Sequence, residues 1–282
     1  MRLTGLPKKT LNCNQRTLDL SSPKIMGILN VTPDSFSDGG QYNHKDKAIA
    51  HALAMIEDGA DIIDIGGEST RPGASLVEVQ EEIERILPVV EALAKEDIII
   101  SIDTSQPEVI EAAVACGAHI WNDVRALTRP NALQTAAKLH IPVILMHMRG
   151  EPTTMNQLNQ YDNIVSDLCD ELMQRIDDAL SVGIKTENII IDPGFGFAKN
   201  AEQNIELLKN LWQLDSLGYP ILSALSRKRF IGEILNEPDA QKRAIGSVTA
   251  HLLSIQQGAS IVRVHDVKAM SDAIKVWNAV NA

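Results

Sequence analysis

The chain has 282 residues, of which 44% are hydrophobic and 22% charged, with a formal net charge of −11. That length suits one large α/β domain or two smaller ones. The acidic balance argues against nucleic-acid binding, because it repels phosphodiester backbones, but a few local Arg and Lys can still make a pocket for a small anion.

Cys13, Cys116 and Cys169 are widely spaced and form neither a disulfide framework nor a zinc pattern. The polar start (Lys8, Lys9, Asn12, Asn14) lacks the apolar core of a secretory signal, and no run is long enough to span a bilayer. A cytoplasmic protein with no membrane or nucleic-acid partner is the expectation.

Residues 1–22 read as an N-terminal extension outside the main domain, and 23–282 as one domain. In it, strand-like runs alternate with helix-like segments. The strands fall near Ile25–Leu29, Ile62–Ile65, Ile98–Ile102, Ile120–Trp121, Pro142–Met146, Ile189–Ile191, Ile221–Ala224 and Ile261–Val264. Short, unalternating apolar runs suit parallel strands buried on both faces. Helical stripes lie between them: Val79, Ile83, Ile86, Leu87, Val90 and Leu93, then Ile164, Leu168, Leu172 and Ile176. Later come Val248, Leu252 and Ile255, then Ile274, Trp277 and Val280. Pro88 predicts a kink or a local break in the first of these helices. Repeated βα alternation leaves a closed barrel or an open doubly wound sheet. Eight units in this length favour a single (β/α)8 TIM barrel, and no early Gly-x-Gly-x-x-Gly supports dinucleotide binding. Long polar stretches follow the first strand (Thr32–Asp46), the second (Gly66–Ser75) and the fifth (Met148–Tyr161), as functional loops do.

Nearly every strand ends in a group able to bind or react. In order these are Asn30, the Asp64 to Gly73 segment, Asp103, Asn122-Asp123, Met146-His147-Met148, Asp192 to Phe197, Ser226-Arg227-Lys228 and Arg263-Val264-His265-Asp266. In a barrel such positions converge on one mouth. A single Asp or Asn there is as readily a cap or turn residue; a whole set is not. Asp123, Asp266 and Ser69 keep the bracing role, each lying beside a better candidate. His147 is open between satisfying backbone at the mouth and touching a ligand. His44, His51, His119, His140 and His251 read as surface or packing residues, and no two histidines have metal-ligand spacing.

The stretch Ile28-Leu29-Asn30-Val31-Thr32-Pro33-Asp34-Ser35-Phe36-Ser37-Asp38-Gly39-Gly40, taken with the later motifs in order, closely resembles the dihydropteroate synthases. The resemblance runs from about Pro23 to near the C-terminus. One departure is Ala224, where members often carry Gly before Ser-Arg-Lys. The resemblance implies condensation of 6-hydroxymethyl-7,8-dihydropterin diphosphate with p-aminobenzoate, giving 7,8-dihydropteroate and diphosphate. It implies a pterin site of Asp103, Asn122, Met146, Asp192, Phe197 and Lys228, with Asp192 accepting from the ring's N–H fork. It implies diphosphate contacts from Asn30, Thr70, Arg263 and His265, the guanidinium matching phosphate oxygens, and Mg²⁺ held at Asn30. A p-aminobenzoate pocket would come from Phe36, Thr70, Arg71, Pro72, Ser226 and Lys228. Asp103, Lys228, Arg263 and Asn30 carry the implied catalysis, in which C–O cleavage precedes attack by an unprotonated amine. A homodimer packed through late helices is also implied. Two competing readings stand beside it: a non-catalytic pterin-binding paralogue, disfavoured because the loop and diphosphate residues are present, and a barrel that transfers methyl from a reduced folate to a corrinoid protein, which would share pterin recognition but not the combined first-loop, Thr-Arg-Pro-Gly and Ser-Arg-Lys motifs.

Overall fold

The computed structural model describes residues 10–14, 16–31, 41–68, 77–151 and 153–281. Eight parallel strands close into a barrel: β3 (Lys24–Asn30), β4 (Ile62–Gly66), β5 (Ile99–Asp103), β6 (Ile120–Asp123), β7 (Val143–Met146), β8 (Ile189–Asp192), β9 (Ile221–Ser223) and β10 (Ala259–Val264), with β10 pairing back onto β3. Helices follow the strands: α1 (Gln41–Glu57), α2 (Val79–Leu93), α3 (Pro107–Ala115), α4 (Ala132–Leu139), α5 (Ile164–Ser181), α6 (Ala201–Lys209), α7 (Arg229–Leu235), α8 (Ala244–Gln256) and α9 (Val267–Asn281). All eight expected strands are present, with ends shifted by a residue or two.

Successive strand side chains point to opposite faces. The outward set (Ile63, Ile65, Ile100, Ile102, Trp121, Val143, Leu145, Ile189, Ile191) joins the helices in one large core. The inward set forms a separate cluster with one residue from every barrel strand: Met26, Ile62, Ile99, Ile120, Ile144, Ile190, Leu222 and Ile261. These lie at the N-terminal end of the barrel. The extension packs against them. It folds as an antiparallel hairpin, β1 (Thr10–Cys13) and β2 (Arg16–Asp19), whose Leu11, Cys13 and Leu18 are buried in that same cluster together with Leu20. It adds no strand to the barrel but covers one end of it.

The helical stripes hold on α5, where Ile164, Leu168, Leu172 and Ile176 are all buried. The helix α2 runs on through Pro88 without a break. On α9, Ile274 is buried but Val280 is 78% exposed, so the periodic stripe outlasts the surface it packs on. Among the described residues no helix is long and apolar enough to cross a membrane.

Candidate active site

Two residues beyond the inward apolar groups, the same faces carry Ile28 on β3 and then Asp64, Ser101, Asn122, Met146, Asp192, Ala224 and Arg263. One turn of the pleat higher on β3 and β5 come Asn30 and Asp103. Strand register aligns them laterally: Asn30 pairs with Gly66, Gly66 with Asp103, Asp103 with Asn122, and Met146 with Asp192. Gly66 contributes no side chain to that row, so the space between Asn30 and Asp103 stays open. A Cβ there would sit 3.5 Å from Asp103 Cβ and 3.7 Å from Asn30 Oδ1.

The centre of the mouth is an ionic cluster. Arg263 donates from Nε to Asp64 Oδ2 at 2.6 Å and from Nη2 to Asp103 Oδ2 at 2.7 Å. Asn122 Nδ2 donates to the same Asp64 oxygen at 3.0 Å, which leaves the amide oxygen of Asn122 as an acceptor. Asp64 is fully buried, and its Oδ1 has no hydrogen-bond partner among the described residues. Burial raises the Asp103 carboxyl well above the ordinary carboxylate range, the Arg263 charge opposing it and Asp64 reinforcing it. Arg263 is thus committed on two of its donor nitrogens to carboxylates, and its Nη1 is the one left to an anion.

Asp192 forms the opposite wall. The Gly194 N–H donates to its Oδ1 at 2.7 Å. Burial lifts its pKa to about 6, against the pull of that hydrogen bond and of Lys228, Arg263 and Lys199. Lys228 Nζ lies 4.3 Å from the centre of the Phe197 ring, a cation–π distance. Burial lowers its pKa to about 8, with Asp192 opposing. Met146 is buried beside Asp192, so the pocket has an apolar side as well as a polar edge. Ser226 Oγ accepts from the His265 backbone N–H at 3.1 Å and meets His265 Nδ1 at 2.9 Å. Between Ser226 and Lys228, Arg227 adopts φ 59° and pairs twice with Asp266, at 3.1 and 2.6 Å. That strut points its neighbours at the mouth. Phe36, Thr70, Arg71 and Pro72, and with them Ser69, lie outside the described residues.

The bracing roles hold for the two carboxylates kept out of the site. Asp123 accepts from the backbone N–H groups of Arg125 and Leu127 at 2.9 and 2.8 Å and from the Ser105 hydroxyl. Asp266 serves Arg227. His119 and His251 are packing histidines: one nitrogen of each ring accepts a backbone N–H, His119 Nδ1 from Ile100 at 3.0 Å and His251 Nε2 from Leu225 at 3.1 Å. His147 resolves into a third role. It is buried between Lys199 and Glu171, each 3.0 Å from one ring nitrogen. From the sequence Asp64 is only one of the strand-end groups, with no specific part in the site, and Lys199 has no role. The only signal for Asp64 was a carboxylate inside an isoleucine run; for Lys199 there was none.

The sequence that builds this barrel matches a known family. A profile described as pterin binding enzyme matches residues 26–265. The chain belongs to the pterin binding enzyme family. Within it, the dihydropteroate synthase of Haemophilus influenzae is 52% identical over 270 residues, covering 95% of this chain and 98% of that protein. The Escherichia coli K12 dihydropteroate synthase is 48% identical over 264 residues, 93% of each chain. Among solved structures, Xanthomonas albilineans dihydropteroate synthase with 4-aminobenzoic acid superposes with a TM-score of 0.93 at 49% identity, covering 98% of this chain and 99% of that one. The same enzyme in complex with 7,8-dihydropteroate gives 0.89 at 47% identity, covering 97% and 99%. Pterin binding enzymes thus share this chain's barrel over nearly its whole length.

Proposed function

We propose that the chain catalyses the condensation of 6-hydroxymethyl-7,8-dihydropterin diphosphate with p-aminobenzoate to 7,8-dihydropteroate and diphosphate. One observation carries the reading: two buried carboxylates (Asp64, Asp192), a partly buried third (Asp103) and two partly buried cations (Lys228, Arg263) converge on one mouth beside Met146 and Phe197. A flat, hydrogen-bonding heterocycle needs that combination of a charged edge and apolar faces. Solved relatives bind 4-aminobenzoic acid, 7,8-dihydropteroate and, in Yersinia pestis, a sulfonamide drug.

In this reading the Asp192 carboxylate accepts from the pterin N–H fork, the Asn122 oxygen accepts a further ring N–H, and Lys228 donates to the ring carbonyl or nitrogen. The methylene C–O bond breaks and its electron pair leaves with diphosphate. Asp103, two residues above the Asp64–Arg263 pair, faces the resulting cation. A preorganised carboxylate in a water-poor pocket stabilises that charge without reorganising. The arylamine nitrogen then bonds to the methylene carbon and its proton passes to diphosphate or solvent. Arg263 Nη1, His265 and Asn30 face the departing anion.

Mg²⁺ suits the diphosphate end. Asn30 offers a neutral, hard oxygen beside the gap at Gly66. No cluster of three or more His, Cys, Asp or Glu that would hold a metal exists among the described residues. A cation there must draw the rest of its shell from diphosphate and water, as Mg²⁺ does. Bound so, it would supply positive charge to the leaving group. Phe36, Thr70, Arg71 and Pro72 complete the p-aminobenzoate pocket in this proposal, with Ser226 and the Lys228 stem. The three free cysteines suit a cytoplasmic setting. A homodimer through α8 and α9 would cover Ile245, Leu253, Val276 and Val280, all exposed.

The test is turnover with both substrates at saturation, following diphosphate release with and without Mg²⁺. Product formation that depends on p-aminobenzoate is the expected result. Pterin binding without turnover would turn the assignment to a non-catalytic binding protein.

A further inference from the structure

Behind the Asp192 wall, the turn from Gly194 to Lys199 is held by a buried cation that the reaction does not use. The Lys199 side chain folds back under its own loop. Its Nζ lies 3.0 Å from the carbonyl oxygen of Gly194, 3.0 Å from that of Phe197 and 3.0 Å from His147 Nδ1. An ammonium has three donors and no acceptor, and these are three acceptors. Burial pulls the Lys199 pKa down to about 7, with Asp192 opposing; in the ammonium form the count fixes the imidazole: Nδ1 accepts, so Nε2 carries the hydrogen and donates to Glu171 Oε2 at 3.0 Å. Glu171 is in turn held by Arg149, whose Nε donates at 2.8 Å and whose guanidinium stacks 3.9 Å over the Tyr161 ring. Burial keeps His147 neutral, its pKa lowered to about 4.

The two carbonyls that Lys199 holds belong to residues that frame the pterin pocket. Gly194 gives its N–H to Asp192, and Phe197 carries the ring under Lys228. The other side of the same turn is braced from α6, where Asn204 Oδ1 accepts the Gly196 N–H at 2.7 Å. We propose that Lys199 is a positioning residue for the heterocycle: through the Gly194 and Phe197 carbonyls it sets the Asp192 carboxylate and the Phe197 ring in register, with the His147–Glu171–Arg149 chain as its anchor to α5. The inference rests on the pterin reading of the site.

The experiment compares wild type with Lys199→Met, which keeps length and loses all three donors, and Lys199→Gln, which keeps donors for the two carbonyls. Calorimetry with a pterin lacking diphosphate is paired with separate KM values for each substrate and kcat, after circular dichroism confirms the fold. Lys199→Met should raise the pterin Kd and KM about 30-fold, while the p-aminobenzoate KM moves less than about 3-fold. Lys199→Gln should recover most of the loss. Pterin affinity unchanged in both variants, with only the melting temperature lowered, would overturn the inference. So would equal losses for both substrates. Wild-type protein that binds no pterin would overturn the underlying reading and this inference with it; wild type and Lys199→Met binding alike would overturn this inference alone.

Discussion

At the scale of single residues, the most exposed claim concerns Asp192. Its Oδ1 already accepts the Gly194 N–H, and its remaining lone pairs face the mouth. An amide in its place puts a donor against one ligand N–H and removes the charge. Asp192→Asn should therefore weaken binding of a pterin without diphosphate by roughly 2–4 kcal/mol, read by calorimetry. A second prediction concerns Glu82 on α2. It is fully buried. Burial raises its pKa from 4.5 to about 7, opposed by a hydrogen bond from the Thr104 side chain and the Arg85 charge and reinforced by Glu68 and Asp103. The folded state thus binds this proton more tightly than the unfolded chain. Below the unfolded pKa both states are protonated and nothing is lost. As pH rises from there to about 7, stability falls by an amount on the order of 3 kcal/mol, and it stays lost above. Glu82→Gln should remove that slope. Urea unfolding at pH 5 and pH 8 checks it; parallel pH dependence in variant and wild type would mean the carboxyl ionises in the fold without penalty.

At the scale of elements, the turn between β8 and α6 is the tightest fit near the site. Gly194 has φ +64°, and a Cβ there would lie 2.0 Å from the His147 carbonyl oxygen. A flexible side chain could swing away, but this is backbone. Gly194→Ala should destabilise the fold by more than about 2 kcal/mol and disturb Asp192 with it, visible as a lower urea midpoint together with weaker pterin binding. An unchanged midpoint would show that β7 and β8 separate easily. The same turn shows what a sequence reveals and what it hides. Asn30, Asp103, Asn122 and Asp192 were readable because each ends an apolar run, where the strand's own alternation aims it inward. Lys199 was not, since the histidine and two carbonyls that bury it are set by the meeting of β7 with β8, and His147 is 52 residues away. Glu82 was hidden likewise: its spacing on α2 is ordinary, and its burial comes from tertiary packing, with the β4 end so close that a Cβ on Gly67 would lie 2.9 Å from its Cγ. Val280 failed the other way. Periodicity states which face of a helix is apolar but not where the neighbouring layer stops.

At the scale of the whole molecule, α8 and α9 leave an apolar face open. Ile245 is 85% exposed and Val276 66%. Isolated exposed aliphatics are ordinary, but a group of them on adjacent helices marks a contact surface. Ile245→Arg should convert a dimer to monomers in sedimentation while leaving the Asp64–Arg263 cluster and pterin affinity intact. A monomeric wild type would dispose of the dimer.

The hairpin beneath the barrel has a consequence for traffic. Its leucines, with one apolar side chain from each strand, stopper the lower end, and the groups above them open in one direction only. Whatever enters must leave by the way it came. In the proposed reading the heterocycle seats deepest, so a later substrate would sit across the way out. Product and diphosphate would then share the doorway with the next pterin, and a spent molecule still in the passage would block a fresh one outright rather than merely crowd it.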